Sequence, residues 1–457
     1  MSEIPHSNAL RNPSGRWRLA APLLLAALAL ALAASSSALA AAPTAPPPVS
    51  ILTPYSDPGQ YDIFISPFGD TGTYANGPEI LDQKGDVVWF QAIPAAQEAS
   101  DFRSQTYRGQ QVLTWWQGTG LGGVATGTDY IYNNHYQQIA AVNAGNGLNA
   151  DGHEFLITPQ NTALILSYTT ATADLSSIGG PSNQTVIDGV VQEIDIPTGK
   201  VLFQWNSQDH VPYSQSEQPL PASASSPWDW FHINAVHLDT DGNLLIDARD
   251  TWTTYKVNRH SGAIVWQLGG KASDFTFQTA SGQTLNKAGE IFAWQHDPEA
   301  LGNDEYTIFD NEAAGVANTG IDPTAELGLS RVVRFKLDEH AHTAKLEQSF
   351  DQPESLTAPS QGDGEPIPGG GHFVGWGSLP YFSQFDAAGN LVFNAQLPAG
   401  VNSYRAYELP WSPAGSGSGS GGGSGPGGHG RYPGGSYGHG PGKPRGHRYE
   451  PRRTARR

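Results

Sequence analysis

"DWFHINAVHLDTDGNLLIDAR", residues 229–249, decides the architecture of this chain. "HINAVHL" is an extended, half-apolar run, "DTDG" is a hairpin turn, and "NLLIDAR" is a second strand. The chain continues as "TTYKVNRHSGAIVWQLGG" (253–270), two more strands joined by a tight turn that ends in Gly262. Four short antiparallel strands in about forty residues have the size and rhythm of one propeller blade.

The unit recurs. A strand, an Asp/Asn-to-Gly turn and a strand ending in an aromatic form an outer hairpin at "EILDQKGDVVWF" (79–90), "VQEIDIPTGKVLFQW" (191–205), "TYKVNRHSGAIVWQL" (254–268) and "FSQFDAAGNLVFNA" (382–395), with a looser copy over 332–350. Inner hairpins precede the later copies, at 153–170, 232–249, 295–311 and 364–378. With "QTYRGQQVLTWW", "YIYNNHYQQIAAV" and the N-terminal "YDIFISPFG", these predict an all-β, six-bladed β-propeller, seven being the alternative count. "SYRAYELPW" (403–411) is expected to help close the last blade.

Both ends fall outside the repeats. Residues 1–40 hold three arginines, an apolar run from Leu19 to Ala34 and an Ala38-Leu39-Ala40 cleavage signature. This reads as a secretory signal peptide, with a single membrane anchor as the alternative, and places the protein outside the cytoplasm. Residues 412–457 are Gly-, Ser- and His-rich with eight Lys/Arg against Glu450 alone, a disordered basic tail suited to tethering on an anionic envelope surface. The propeller domain between them, 41–411, has 14 basic and 41 acidic residues, which argues against nucleic acid as a partner. The chain has no cysteine, so disulfides, thiol chemistry and cysteine metal sites are excluded.

His153, His232 and His296 occupy one repeat position, the start of the inner hairpin, in three consecutive blades. Innermost strands line a propeller's channel, so equivalent positions converge there. Arg249 ends the strand after His232 and is the candidate anion-binding group in this acidic body; Arg331 is a weaker one. Trp228, Trp230, Trp294 and Trp376 adjoin these motifs, and Trp230 and Trp294 are the candidate substrate stackers. Three readings compete for the histidines. One is a neutral network that fixes the hub. Another is a zinc site, disfavoured because zinc ligands usually include a close pair in sequence. The third is transfer of a compact anionic group, in which a neutral imidazole attacks, a second handles the leaving group's proton and an arginine binds the oxygens. A singly charged sulfuryl group suits a site with one arginine. Glu154 and Asp297, beside two of the histidines, are expected on the other strand face.

"DGHEFLIT", "DWFHINAV", "LLIDAR", "SGAIVWQLGGKASDF", "FAWQHDPEA", "TIFDN", "SRVV", "HFVGWGSLPYFSQFD" and "SYRAYELPW", in order over about 110–411, resemble the arylsulfotransferase family of exported β-propellers. The resemblance implies sulfuryl transfer from a phenolic sulfate ester to a phenol, without a nucleotide sulfate donor or other cofactor, through a sulfohistidine. It implies His296 as the nucleophile, His232 and His153 as the other catalytic histidines and Arg249 as the sulfate-binding arginine. Some members carry a cysteine pair before the nucleophile; this chain has none. A non-catalytic binding propeller, a quinoprotein-like dehydrogenase and a hydrolase of aryl sulfates remain as alternatives. A body near −27 also requires a locally positive channel if its substrate is an anion.

Overall fold

A computed structural model describes residues 42–414, apart from 57, 58, 60, 122, 123 and 314–326. The expected leader (1–40) and the tail from 415 onward lie outside the described residues. Residues 412–414 still bond to the second blade, where the Ala414 N–H donates to the Asn134 carbonyl at 2.8 Å.

The strands form six separate antiparallel-cored sheets, which settles the blade count at six. From the channel outward, the first blade is Asn402–Leu409, Asp62–Phe68, Glu79–Leu81 and Val87–Phe90. The second is Glu98–Tyr107, Gln110–Thr119, Thr126–Tyr132 and Gln138–Val142. The third is Phe155–Ile157, Thr162–Ala173, Gln184–Asp195 and Lys200–Asn206, and the fourth is Ile233–Leu238, Leu244–Ala248, Thr253–Val257 and Ile264–Leu268. The fifth is His296–Gly302, Glu305–Asp310, Arg331–Asp338 and Thr343–Asp351, with Thr276–Thr279 added outside in parallel. The sixth is Asp363–Pro366, His372–Gly375, Tyr381–Phe385 and Leu391–Gln396.

Each end of the chain completes a blade it does not adjoin in sequence. Ser50–Thr53 adds an outer strand to the sixth blade, and Asn402–Leu409 is the innermost strand of the first. The expectation that 403–411 closes the last blade is therefore corrected: its partner is Asp62–Phe68. The physical reason is edge closure, since each terminal strand satisfies a backbone edge that would otherwise stay open.

Six hydrophobic clusters fill the six gaps between neighbouring blades. This geometry explains the sequence pattern. Middle strands such as Leu244–Ala248 are buried along their whole length, whereas the outermost Ile264–Leu268 alternates between buried and more exposed positions. The "DTDG" turn forms as expected, with Gly242 at φ +85° and its N–H donating to the Asp239 carbonyl.

Candidate active site

Strand starts on the inner rim deliver the candidate residues. His232 takes a left-handed backbone conformation (φ 50°) just before Ile233–Leu238. Its carbonyl accepts the Arg249 N–H at 3.0 Å, and the Asp250 N–H reaches the Phe231 carbonyl at 3.1 Å. The hairpin thus closes with His232 and Arg249 side by side. His153 precedes Phe155–Ile157, and His296 opens His296–Gly302.

The rings of His153 and His232 lie 5.2 Å apart, edge to face. Tyr168 and Tyr404 join them, with Tyr404 at 5.6 Å and Tyr168 at 6.0 Å from His153. All three histidines and Arg249 are buried. His232 Nδ1 is held by Asp229 Oδ2 at 2.6 Å, and His153 Nδ1 by Asp151 Oδ1. Burial works against the His232 imidazolium, but the Asp229 carboxylate outweighs it and raises the histidine above its ordinary value.

His296 is placed differently. Its Nδ1 faces the Asn311 amide oxygen at 2.7 Å, and the Asn311 amide nitrogen donates to the Ala358 and Gln361 carbonyls. Those two carbonyls fix the amide orientation, so Nδ1 carries the proton and Nε2 keeps its lone pair. The Gln361 N–H points at that lone pair from 3.1 Å. Burial first, then the Arg249 guanidinium, hold the His296 imidazolium well below the ordinary histidine range, with His153 and His232 pushing the same way against the Asn311 bond. His296 is a neutral imidazole at physiological pH.

Arg249 donates to Asp250 Oδ1 and to the Pro359 carbonyl, both at 2.9 Å, and lies over the Trp294 ring at 5.1 Å. Its Nε is buried without a partner. Trp294 also meets Trp252 edge to face at 5.3 Å. Trp230 is wholly buried between Tyr213 and Phe231, and Trp376 donates to Ser383 Oγ inside the fifth–sixth blade packing. Arg331 is not brought to the histidines by any of its bonds, which run to Asp310, Glu312 and the Thr284 and Ile291 carbonyls. The structure thus gathers His153, His232, His296 and Arg249, with Trp294 beneath the arginine.

Sequence reasoning missed Asn311, Asp229, Asp151, Tyr404 and the Gln361 N–H. Asn311 and Tyr404 stand inside quoted motifs, "TIFDN" and "SYRAYELPW", and their signal was position at a strand end on the inner rim. Two surface clefts lie on the blade edges, and none of their lining residues belongs to this cluster.

The family model described as arylsulfotransferase (ASST) matches residues 103–397, which include all of these histidines and Arg249. The chain belongs to the arylsulfotransferase family. No curated protein matches it. Among solved structures it is similar to a protein of unknown function from Bacteroides caccae, at 10% identity over 77% of this chain and 99% of that one, with a TM-score of 0.45. It is also similar to Kuenenia stuttgartiensis hydrazine synthase, at 9% identity over 68% of this chain and 70% of that one, with a TM-score of 0.35. Family membership suggests aryl sulfate sulfotransferase activity on small aryl sulfates.

Proposed function

We propose that this protein transfers a sulfuryl group from a phenolic sulfate ester to a phenol, through a covalent intermediate on His296 Nε2. The observation that carries the reading is the His296 environment, a neutral imidazole whose tautomer presents an unprotonated Nε2 beside an arginine. Nε2 attacks sulfur, the bond from sulfur to the aryl oxygen breaks, and the departing phenolate takes a proton from the His232 imidazolium. His232, now neutral, accepts the proton of the incoming phenol as its oxygen attacks sulfur and the N–S bond breaks. Arg249, with Nε free of protein partners, binds the sulfuryl oxygens. The Gln361 N–H must give up the lone pair at attack, and it is then left facing the sulfuryl group. Asp229 and Asn311 position their histidines.

The test follows p-nitrophenyl sulfate with and without phenol, on wild type and His296→Ala. Phenol-dependent release, ping-pong kinetics, and a protein mass increment of one sulfuryl group absent from His296→Ala support the reading. Phenol-independent turnover makes the protein a hydrolase, and no turnover with a spread of aryl sulfates makes it a binding propeller. Residues 1–40 support export as part of this reading. Basic residues 412–457 would then act as a tether, read out by retention on anionic envelope polymer.

A further inference from the structure

Every blade contributes an ionisable residue to the hub, and Glu154 and Asp297 directly follow His153 and His296. Asp101 and Arg103 come from the second blade, Glu154 from the third, and His237 from the fourth. Asp297 and Glu299 come from the fifth, Asp363 and Glu365 from the sixth, and Arg405 from the first. This network stands apart from the sulfuryl site and does not depend on that reading.

Its charges do not balance. Arg103, Arg405 and His237 face six carboxylates, and none of the three pairs with Asp363 or Glu365. Arg405 NH1 lies 2.9 Å from Glu154 Oε2, Arg103 pairs with both Asp101 and Glu154, and His237 Nε2 sits 3.0 Å from Glu154. Ligand atoms of Asp297, Glu299 and Glu365 lie within 4.8 Å of one another, and Asp297 Oδ1 is also 3.3 Å from Arg405 NH1 and from His237 Nε2. Glu299 has only the His237 Nδ1 contact at 2.9 Å. Glu365 Oε1 is shut off from solvent with no partner. Independently, Asp363 is wholly buried two residues along the same strand, and its Oδ2 has no partner either.

We propose that Asp297, Glu299 and Glu365 bind a hard divalent cation of calcium size. An all-carboxylate donor set selects such an ion over softer metals, and three adaptable carboxylates suit calcium better than the rigid octahedron of magnesium. In the alternative trio of Glu154, His237 and Asp297, two of the three members contact the Arg405 guanidinium, against Asp297 alone in the chosen one. Glu299 is partly exposed, with 22% of its side chain accessible, so the ion has a route in. Once bound, it ties the strand carrying His296 to the sixth blade, reinforcing the 3.2 Å bond from the Gly364 N–H to Asp297 Oδ2. The sequence reading, made around the histidines, expected no metal.

The test uses the full-length chain stripped with chelator, then titrated with calcium chloride alone or magnesium chloride alone. Calorimetry and metal analysis should find one calcium per chain, with a rise in thermal midpoint and a weaker response to magnesium. Glu365→Gln should weaken calcium binding tenfold or more and remove most of the midpoint rise. Because Gln keeps the shape of the side chain, the variant should fold. No calcium binding at millimolar concentration, a calcium response unchanged in Glu365→Gln, or a stronger response to magnesium would each overturn the proposal. Stabilisation by Glu365→Gln with no calcium response in wild type would assign the site to protons instead.

Discussion

Replacing Asp229 by asparagine separates the two halves of the proposed reaction. Asp229 Oδ2 holds His232 Nδ1 at 2.6 Å, and its charge is what lifts His232 above the ordinary histidine value. With charge centres about 4 Å apart and an effective dielectric near 20, the pair is worth at most about 4 kcal/mol. Asp229 is 23% exposed, so solvent screening trims this further. The sign follows directly. A raised histidine stays protonated beyond its ordinary value and loses its proton as pH rises through the raised value. In Asp229→Asn the basic limb of the pH–rate profile therefore moves to lower pH. Above that limb, phenyl sulfate, whose leaving group needs the proton, should turn over about 10–100-fold more slowly. p-Nitrophenyl sulfate, whose phenolate leaves readily, should change little. The acid limb belongs to His296 and should stay put. Profiles for both esters, with circular dichroism to confirm folding, make the comparison. An unmoved basic limb with phenyl sulfate, or equal losses with both esters, would refute His232 as the proton donor.

Arg249→Lys should lower kcat/KM by about 10²–10³, because an ammonium cannot hold Asp250 and Pro359 while offering a further planar donor. A loss under tenfold in steady-state assays would remove the arginine from the transition state. Glu79 is fully buried, neither of its carboxylate oxygens has a partner, and burial pushes it up to about 8. The folded chain then keeps a proton that the unfolded chain releases near 4.5, so this residue's contribution to stability falls as pH rises between about 4.5 and 8. Glu79→Gln should flatten that dependence, read from urea midpoints at the two ends of the range, and an unchanged slope would contradict it. A chain ending at Gly400 lacks the innermost strand of the first blade and should show no cooperative melting by calorimetry, whereas one ending at Ala414 should melt within about 2 °C of the full chain.

The repeat made the architecture legible. Hairpin spacing located all six blades, and equivalent positions in three of them pointed to His153, His232 and His296. Arg249 was legible for the same reason, since a hairpin returns its end beside its beginning. What stayed hidden depends on contacts between blades. Nothing in "TIFDN" says that Asn311 turns its amide oxygen toward His296, because that orientation is imposed by carbonyls of Ala358 and Gln361 some fifty residues on. Arg331 looked available in a body short of arginine, yet Asp310, directly across the strand pair, and nearby Glu312 take up its guanidinium. Trp230 and Trp376 carry the composition of a stacking platform but fill gaps between blades. The closing strand was assigned to the wrong blade because pairing of chain ends leaves no local sequence mark.

The alternation of neighbouring residues also answers the electrostatic objection raised by an acidic body. His153 and Glu154 are adjacent in sequence, as are His296 and Asp297, but they serve different networks. Glu154 and Asp297 are drawn to Arg405 and His237, so much of their charge is cancelled before it reaches the histidines. His296 reports the outcome. Burial opposes its protonation first, and the Arg249 guanidinium, then His153 and His232, oppose it too, against the Asn311 hydrogen bond. The Arg249, His153 and His232 contributions to that shift are those of a positive local field. That field also favours an incoming sulfate ester, and at distances beyond about 8–10 Å the surface carboxylates are screened by salt. The acidic exterior therefore sets long-range attraction or repulsion, and the rim of the channel sets binding.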